Sequence, residues 1–222
     1  MKFNLHHTHS WNVSAREAVA IQRDLAGKVR VEPLTRPVRT VAGVDVSVRG
    51  NDLQTAIVVL SFPELELIEQ TTWQGAVPFP YIPGLLSFRE MPAILPALER
   101  LGQMPDVFMT DSQGLAHPRR FGLACHLGVL LDATAFGVAK TRLTGRYEEP
   151  ALPKGSRSAL TDGPEAIGAV LRTRANTKPV YVSIGHRITL EDAVRLTLAC
   201  SPRYKIPEPT RLAHLLSKTQ PR

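Results

Sequence analysis

The alternation of apolar and polar positions predicts a β-sheet in the first third of the chain. Within 41–48, every second residue from 44 onward is a valine, so the valines share one face of a strand and Asp45 lies on the other. The segments 53–62 and 65–74 have the composition of two further strands, and short links join all three into an antiparallel meander. The pattern therefore sets an acid in the middle of a strand.

Helical spacing predicts the elements that surround this sheet. The capping box over 14–17 starts a first helix that runs to about residue 27. We expect the second helix to begin near Met91, because Pro92 and Pro96 are tolerated in a first turn but not farther inside. The same spacing predicts later helices over about 121–131, 190–200 and 207–216.

Short apolar segments supply the remaining strands and complete a recognisable order of elements. These strands are predicted at 106–111, 133–139, 166–174 and 178–184. The stretch 141–164 is rich in Arg, Gly, Pro and Ser and is expected to cross the surface without regular structure. The order predicts an α/β ribonuclease H-like fold, in which helices flank a mixed central sheet of antiparallel meander and parallel strands.

Length and hydropathy favour one domain. The 222 residues are 43% hydrophobic, enough to bury a sizeable core, and we expect a single domain over 14–218. The segment 1–13, with its cluster of three histidines, is predicted to be a flexible, solvated tail. The longest apolar run is interrupted by His126 and Asp132, and 1–10 lacks the apolar stretch of a signal peptide, so we expect a cytoplasmic protein with no membrane partner.

Charge and cysteine content narrow the function classes further. With 27 Lys and Arg against 20 Asp and Glu, the formal charge is +7, which indicates a polyanionic partner but also fits simple solubility. Two cysteines, Cys125 and Cys200, are too few for a disulfide framework or a four-thiolate metal site.

Three carboxylates stand where the predicted fold brings distant segments together. Asp45 is mid-strand, Glu90 is near a helix start and Asp111 ends a strand that adds beside the first. Converging oxygen ligands without thiols favour Mg²⁺, with Mn²⁺ able to substitute, and two such ions about 4 Å apart would support in-line phosphodiester hydrolysis. Structural alternatives stay open: Asp45 bonded to backbone, Glu90 closing a capping box with Ser87, and Asp111 as a turn former.

The sequence around these acids resembles the endonuclease V family, nucleases that nick nucleic acid near deaminated adenine. The matching segments follow one another in order over most of 14–217. They are VAGVDVS at 41–47, PYIPGLLSFRE at 80–90, DSQGLAHPRRFG at 111–122, GVAKTRL at 137–143, GHRI at 185–188 and PEPTRLAH at 207–214. Two departures are Ser112, where the family usually has glycine after the third acid, and Cys125, where it tends to have serine.

The resemblance implies a wedge and a pocket for the damaged base. Tyr81, held within Pro80-Tyr81-Ile82-Pro83, would fill the gap left when a nucleotide is flipped out of the stack, although a tyrosine packed on the core is the alternative. Backbone groups of the pocket would tell hypoxanthine from adenine and guanine. Its candidate residues are Gly84, Leu85, Gly114 and Leu143.

The resemblance also implies the remaining site residues. Asp45, Glu90 and Asp111 would hold the metal, and Lys140 would lie near the cleaved phosphate, unless it is only a solvated strand-end lysine. Candidate positioning or proton-handling groups are His117 and His214, although a core histidine is the alternative for His214. His126 and His186 are expected to be structural. Candidate phosphate contacts are Arg119, Arg120, Arg142 and Arg146.

The activity implied by the resemblance is metal-dependent DNA repair. The enzyme would recognise deoxyinosine and hydrolyse the second phosphodiester bond 3′ to it, leaving a 3′-hydroxyl and a 5′-phosphate. We expect a monomer whose partner is deoxyinosine-containing DNA, with inosine-containing RNA or single strands as further substrates. The alternatives are a structure-selective ribonuclease H-like nuclease, an inosine-RNA endonuclease and a non-catalytic nucleic-acid binding protein.

Overall fold

The predicted sheet lies at the centre of the computed structural model, which describes residues 4–219. The strands of the described residues are β1 (Thr40–Arg49), β2 (Asp52–Ser61), β3 (Leu67–Ala76), β4 (Val107–Thr110), β5 (Ala135–Ala139), β6 (Arg157–Asp162), β7 (Glu165–Leu171) and β8 (Val180–His186). They form one mixed sheet in the order β3-β2-β1-β4-β5-β8-β7-β6. The antiparallel meander of β1, β2 and β3 is confirmed.

Helices cover both faces of this sheet. They are α1 (Ala15–Ala26), α2 (Leu86–Leu98), α3 (Leu123–Leu131), α4 (Leu190–Ala199) and α5 (Glu208–Ser217). On one face, side chains of α2 and α3 pack with β1, β2 and β4, and Met91 and Ile94 are fully buried there. On the other face, α4 packs with β5, β7 and β8. None of the helices within residues 4–219 is long and apolar enough to cross a bilayer.

The alternation along β1 assigns its residues to two different layers. Val44 is buried among residues of α2 and α3. Gly43 instead faces α5, where a Cβ atom would lie only 2.0 Å from the carbonyl oxygen of Pro209. A side chain at 43 would therefore push α5 away from the strand that carries Asp45. The small residue beside the acid is explained by this close approach.

The predicted start of the second helix is wrong. Helix α2 begins at Leu86, with Pro92 and Pro96 inside it, and no side chain caps its first turn. The capping-box alternative for Glu90 is excluded because that residue lies a full turn into the helix. A proline inside a helix costs about 3 kcal/mol, but burial of a large apolar side chain returns roughly 1.5 to 3 kcal/mol. Helix α2 buries several, Phe88 among them, so packing outweighs the two prolines.

Two other expectations are corrected by tertiary contacts. The stretch 141–164 contains β6, which pairs with β7 in a hairpin and buries only one large apolar residue, Leu160, too few to give a periodic signal. Residues 4–13 pack on the domain: the amide of His6 donates to the carbonyl of Leu130 at 2.8 Å, and Trp11 packs against Phe88. Residues 1–3 of the predicted tail lie outside the described residues.

Candidate active site

Parallel pairing of β1 with β4 sets two acids side by side. Val44 is the register partner of Thr110, so Asp45 and Asp111 follow at neighbouring positions. One ligating atom from each of Asp45, Asp111 and His214 lies within 4.8 Å of the other two. Segments more than sixty residues apart thus meet at what we call the carboxyl end of the sheet, the end at which β4 and β5 finish.

Helix α5 supplies the groups that hold Asp45. The hydroxyl of Ser217 donates to Oδ2 of Asp45 at 2.6 Å, and Nδ1 of His214 lies 3.3 Å from the same oxygen. Because these residues are three apart on a helix, they reach the acid from one face. Burial raises the pKa of Asp45, the Ser217 hydrogen bond opposes that rise, and the charge of Asp111 adds to it.

Glu90 approaches the two aspartates from α2 but lies outside the group of three ligating residues. It lines a small cavity of about 40 Å³ together with Asp45 and Asp111. Burial, followed by the charges of the two aspartates, raises the pKa of Glu90 to about 8. The predicted trio therefore converges, but His214 is the third residue within ligating distance of the aspartates, where the sequence had indicated Glu90.

The donor set fits a divalent cation. Lys140, the residue after β5, forms an ion pair with Oδ2 of Asp111. Burial first, and then the neighbouring aspartate charges, raise the pKa values of Asp45 and Glu90, and a bound cation would oppose both effects. Carboxylate oxygens with one imidazole are ligands that Mg²⁺ and Mn²⁺ accept. The residues thus form a candidate metal site, by their position and by their chemistry.

Tyr81 stands beside a cavity that leads to these acids. The cavity has a volume of about 650 Å³, and its lining includes Tyr81, Asp45 and Asp111. The Tyr81 side chain is 67% exposed, so the alternative of a tyrosine packed on the core is excluded. Its neighbours Pro80 and Pro83 are exposed as well, and they lie outside the cavity lining. Ile82 is half-buried in a small apolar cluster beneath the loop.

The loop that carries Tyr81 is fixed through one carbonyl group. The oxygen of Gly84 is 3.0 Å from Nε2 of His117, 3.0 Å from Nε2 of Gln22 and 2.6 Å from a guanidinium nitrogen of Arg119. Gly84 has a φ of +79°, a conformation that favours glycine. Three donors on one acceptor hold the loop rigidly against α1.

His117 is a positioning group for this loop and lies outside the group of Asp45, Asp111 and His214. Its Nδ1 accepts from the amide of Arg119 at 3.1 Å, so in the neutral ring Nε2 carries the proton and donates to Gly84. Burial and the charge of Arg119 lower the pKa of His117 to about 4. Proton handling by His117 near neutral pH is therefore not supported.

Only part of the predicted base pocket lines the cavity. Gly84 and Leu143 do so, and Leu143 is 45% exposed. Leu85 is buried beneath the loop, so its side chain faces the core. Gly114 is a packing glycine: a Cβ atom there would lie 1.9 Å from the carbonyl oxygen of Ile184. Leu85 and Gly114 therefore lie outside the cavity lining, and a contact of their backbone groups with a base stays a prediction.

The predicted phosphate contacts also divide. Arg142 is exposed and lines the cavity, and Arg146 is exposed beyond it. Arg120 instead forms ion pairs with Asp162 and Glu165 of the β6–β7 hairpin. The guanidinium group of Arg119 is used to hold Gly84, as described above. The charges of Arg119 and Arg120 are thus engaged within the protein, and Arg142 is the best placed of the predicted arginines.

Two residues of the site were missed by sequence reasoning. Gln22 lies on the apolar stripe of α1, where a fully buried amide is unusual and signals a specific partner. Ser217 lies three residues after His214, the spacing that places both on one helix face.

The departure at Ser112 is accommodated without strain. Ser112 has no positive φ, and its hydroxyl shares a 2.7 Å hydrogen bond with Thr110. The second departure, Cys125, is a buried free thiol near the carbonyl of Ile184.

The fold and the acid cluster define a ribonuclease H-like protein with a candidate metal centre. A family model described as Endonuclease V matches residues 23–215. Endonuclease V of Trichormus variabilis is 48% identical over 219 residues, which are 97% of this chain and 99% of the relative. The chain belongs to the endonuclease V family, and it is an endonuclease.

Solved structures agree with this assignment. The crystal structure of Endonuclease V from Streptomyces avermitilis matches with a TM-score of 0.90 at 44% identity, covering 94% of this chain and 93% of that one. Endonuclease V from Ciona intestinalis was solved in complex with a 23mer DNA that contains an inosine followed by a ribo-adenosine. It matches with a TM-score of 0.79 at 27% identity, over 93% of this chain and 97% of that one.

Proposed function

We propose that this protein is a metal-dependent deoxyinosine endonuclease of DNA repair. It hydrolyses the second phosphodiester bond 3′ to deoxyinosine and leaves a 3′-hydroxyl and a 5′-phosphate. The observation that carries the proposal is the cluster of Asp45, Asp111 and His214, whose ligating atoms lie within 4.8 Å of one another beside the cavity under Tyr81. Membership of the family supports it, as does the Ciona intestinalis relative with its inosine-containing DNA.

The acids have separate tasks in this proposal. Asp45 and Asp111, with Glu90 behind them, would hold Mg²⁺, which supplies Lewis-acid activation of water and stabilisation of the leaving oxygen. Ser217 and His214 orient the Asp45 carboxylate through their contacts with Oδ2. A fixed carboxylate matters because displacement at phosphorus depends on close alignment of the reacting atoms.

Lys140 adds positive charge where the phosphate is attacked. Its ammonium group forms an ion pair with Asp111 and also lines the large cavity. A cation at this place offsets the charge that develops on the phosphate oxygens. Arg142, on the rim of the same cavity, contacts the phosphate backbone of the DNA and so fixes the register of the DNA strand.

The damaged base enters the cavity beside the rigid loop. Tyr81 fills the gap in the base stack. Ordering the loop that carries it costs little conformational entropy, because three donors already hold the carbonyl oxygen of Gly84. Hypoxanthine presents a carbonyl and a protonated ring nitrogen, so a pocket of backbone groups rejects adenine by leaving buried polar atoms unpaired. Gly84 and Leu143 are the lining residues that we assign to this task.

A nicking assay with product mapping tests the proposal. Duplexes with a single deoxyinosine and matched adenine controls are incubated with Mg²⁺ or with EDTA. We expect nicking of the inosine strand alone, at the second bond, and only with Mg²⁺. Equal nicking of both duplexes would indicate a structure-selective nuclease. Binding without nicking would indicate a non-catalytic protein, and preferred cleavage of inosine-containing RNA would identify an RNA endonuclease.

A further inference from the structure

Two lysines, Lys178 and Lys205, lie beside the active site at the carboxyl end of the sheet. Ala139 of β5 is the register partner of Tyr181 of β8, so Lys140 and Lys178, which flank these strands, lie at the same end. Val180 of β8 is in turn paired with Leu171 of β7. We call Lys140, Lys205 and Lys178 the lysine row, since Lys205 joins the other two at this end, as its contacts below establish.

Lys205 is fixed in this place by its backbone. Thr173, two residues past the end of β7, donates from its hydroxyl to the carbonyl of Lys205. Three residues farther along the chain, the amide of Glu208 donates to the carbonyl of Cys200 at 2.7 Å. This hydrogen bond closes the loop before α5. Lys205 is half-buried, whereas Lys178 is exposed. The row therefore has one anchored member between an active-site lysine and a freely solvated one.

The row holds like charges together with little compensation. Burial, and then the charges of Lys178 and Lys140, lower the pKa of Lys205. Among the ion pairs of residues 4–219, the row has a single one, between Lys140 and Asp111, and the other two lysines have none. Glu208, the acid nearest in sequence to Lys205, is paired with Arg211. Repulsion among neighbouring ammonium groups is relieved when an anion binds between them.

We propose that Lys205 and Lys178 bind backbone phosphates of the cleaved strand beyond the cleaved bond. The inference rests on the proposed function and extends it. The cavity extends from Tyr81 past Asp111 to Lys140 at the end of β5, and in the sheet order β8 and β7 follow next to β5. A strand with its base beside Tyr81 and its phosphate at Asp111 continues over the row in its 3′ direction. Lysine contacts to phosphate add affinity without reading sequence.

Substrates that differ only in their 3′ arm test this proposal. One strand ends a single nucleotide beyond the cleaved bond, and the other extends by several nucleotides. Binding is measured in EDTA as a function of salt concentration, for the wild type and for a Lys178→Gln, Lys205→Gln double variant. The wild type should bind the longer strand more tightly, by about tenfold, and the double variant should bind both alike. The salt slope on the long strand should fall by about 0.7 to 0.9 for each lysine removed.

Matched controls separate this result from general loss of charge or of fold. Lys28 is an exposed lysine near Arg30, at the opposite end of the sheet, so Lys28→Gln should leave both affinities unchanged. A Lys178→Arg, Lys205→Arg variant should retain the advantage of the long strand. If the double Gln variant does not fold, the exposed Lys178→Gln alone should remove about half of that advantage on a logarithmic scale.

Two outcomes would overturn the proposal. One is an equal loss of affinity for the short and the long strand, which would mean that the lysines act through overall charge. The other is an unchanged advantage of the long strand in the double variant. The proposed function is tested independently, because preference of the wild type for inosine over adenine is measured at one arm length.

Discussion

Carboxylates at the two ends of the central sheet have different surroundings. At the carboxyl end, Lys140 forms an ion pair with Asp111, Nδ1 of His214 lies 3.3 Å from Asp45, and Glu90 has no ion pair within residues 4–219. At the other end, Asp132 has an ion pair with Arg30, a second with Arg187 at 3.3 Å and a hydrogen bond with Nε2 of His186 at 3.1 Å. The number of positive groups per acid is the main difference between them.

This difference, together with the deeper burial of Asp45 and Glu90, sets the direction of the pKa shifts. Burial opposes ionisation of Asp132, but hydrogen bonds from His186 and Arg30 and the charges of the two arginines lower its pKa. At the carboxyl end, burial and the neighbouring aspartates raise the pKa of Glu90 to about 8. An acid paired with cations stabilises the fold, whereas acids crowded together without such pairs are typical of a site that binds a cation.

The largest effect is expected for Asp45→Asn. Nicking of the inosine strand should fall about a thousandfold, because a metal-holding carboxylate contributes several kcal/mol to the transition state. The melting temperature in EDTA should stay equal or rise, since the change relieves repulsion with Asp111 and keeps an acceptor for Ser217. Single-turnover nicking and thermal unfolding check both parts. Undiminished nicking would show that Asp45 does not hold the metal.

A pH-dependent effect of about 2 kcal/mol is expected for Glu90. Its folded pKa of about 8 is above the ordinary value of 4.5, so the native state binds the extra proton between these values. The free energy of unfolding in EDTA should therefore decrease as the pH rises from 6 to 8, by about 2 kcal/mol.

Glu90→Gln provides the control for this pH effect. The amide does not titrate, so the variant should lose this part of the pH dependence. Denaturant unfolding at the two pH values, repeated with Mg²⁺, is the measurement. An identical slope in both proteins would show that Glu90 is already ionised in the native state.

Asp132→Asn should cost stability and leave catalysis intact. Asp132 has a φ of 50°, which asparagine also tolerates, so the change removes charge without altering the backbone. Weakened bonds to His186 and the arginines should lower the free energy of unfolding by about 1 to 2 kcal/mol. Nicking at a temperature well below the transition should match the wild type. A lower nicking rate there would show that the two ends of the sheet are coupled.

The smallest effect is expected for Arg30→Ala. The guanidinium group of Arg30 is about half exposed, and Arg187 still compensates Asp132 after the change. Exposed ion pairs contribute about 0 to 1 kcal/mol, and high salt weakens them further. The loss measured by denaturant unfolding should therefore stay below about 1 kcal/mol and shrink in salt. A loss as large as that of Asp132→Asn would mean that one arginine carries the whole compensation.

Local patterns predicted most of the fold but not its exceptions. The alternation in β1 and the capping box of α1 were confirmed, because both depend on neighbours within a few residues. The start of α2 was predicted wrongly, since the burial that outweighs Pro92 and Pro96 depends on packing against the sheet. Strand β6 was missed for a similar reason, as its stability comes from pairing with β7.

The site, like the fold, was predicted from local patterns only in part. The sequence by itself determined that Asp45, Glu90 and Asp111 lie near one another. It also determined that Tyr81 stands in a loop between two prolines. Both features depend on short sequence motifs. Only the tertiary structure decided that His117 holds Gly84 and not a proton near the acids. Partners of this kind come from elements distant in the chain, and hydrogen-bond geometry is settled only when those elements pack. For the same reason the lysine row has no motif, since strand pairing and the hydrogen bond of Thr173 to Lys205 bring its members together.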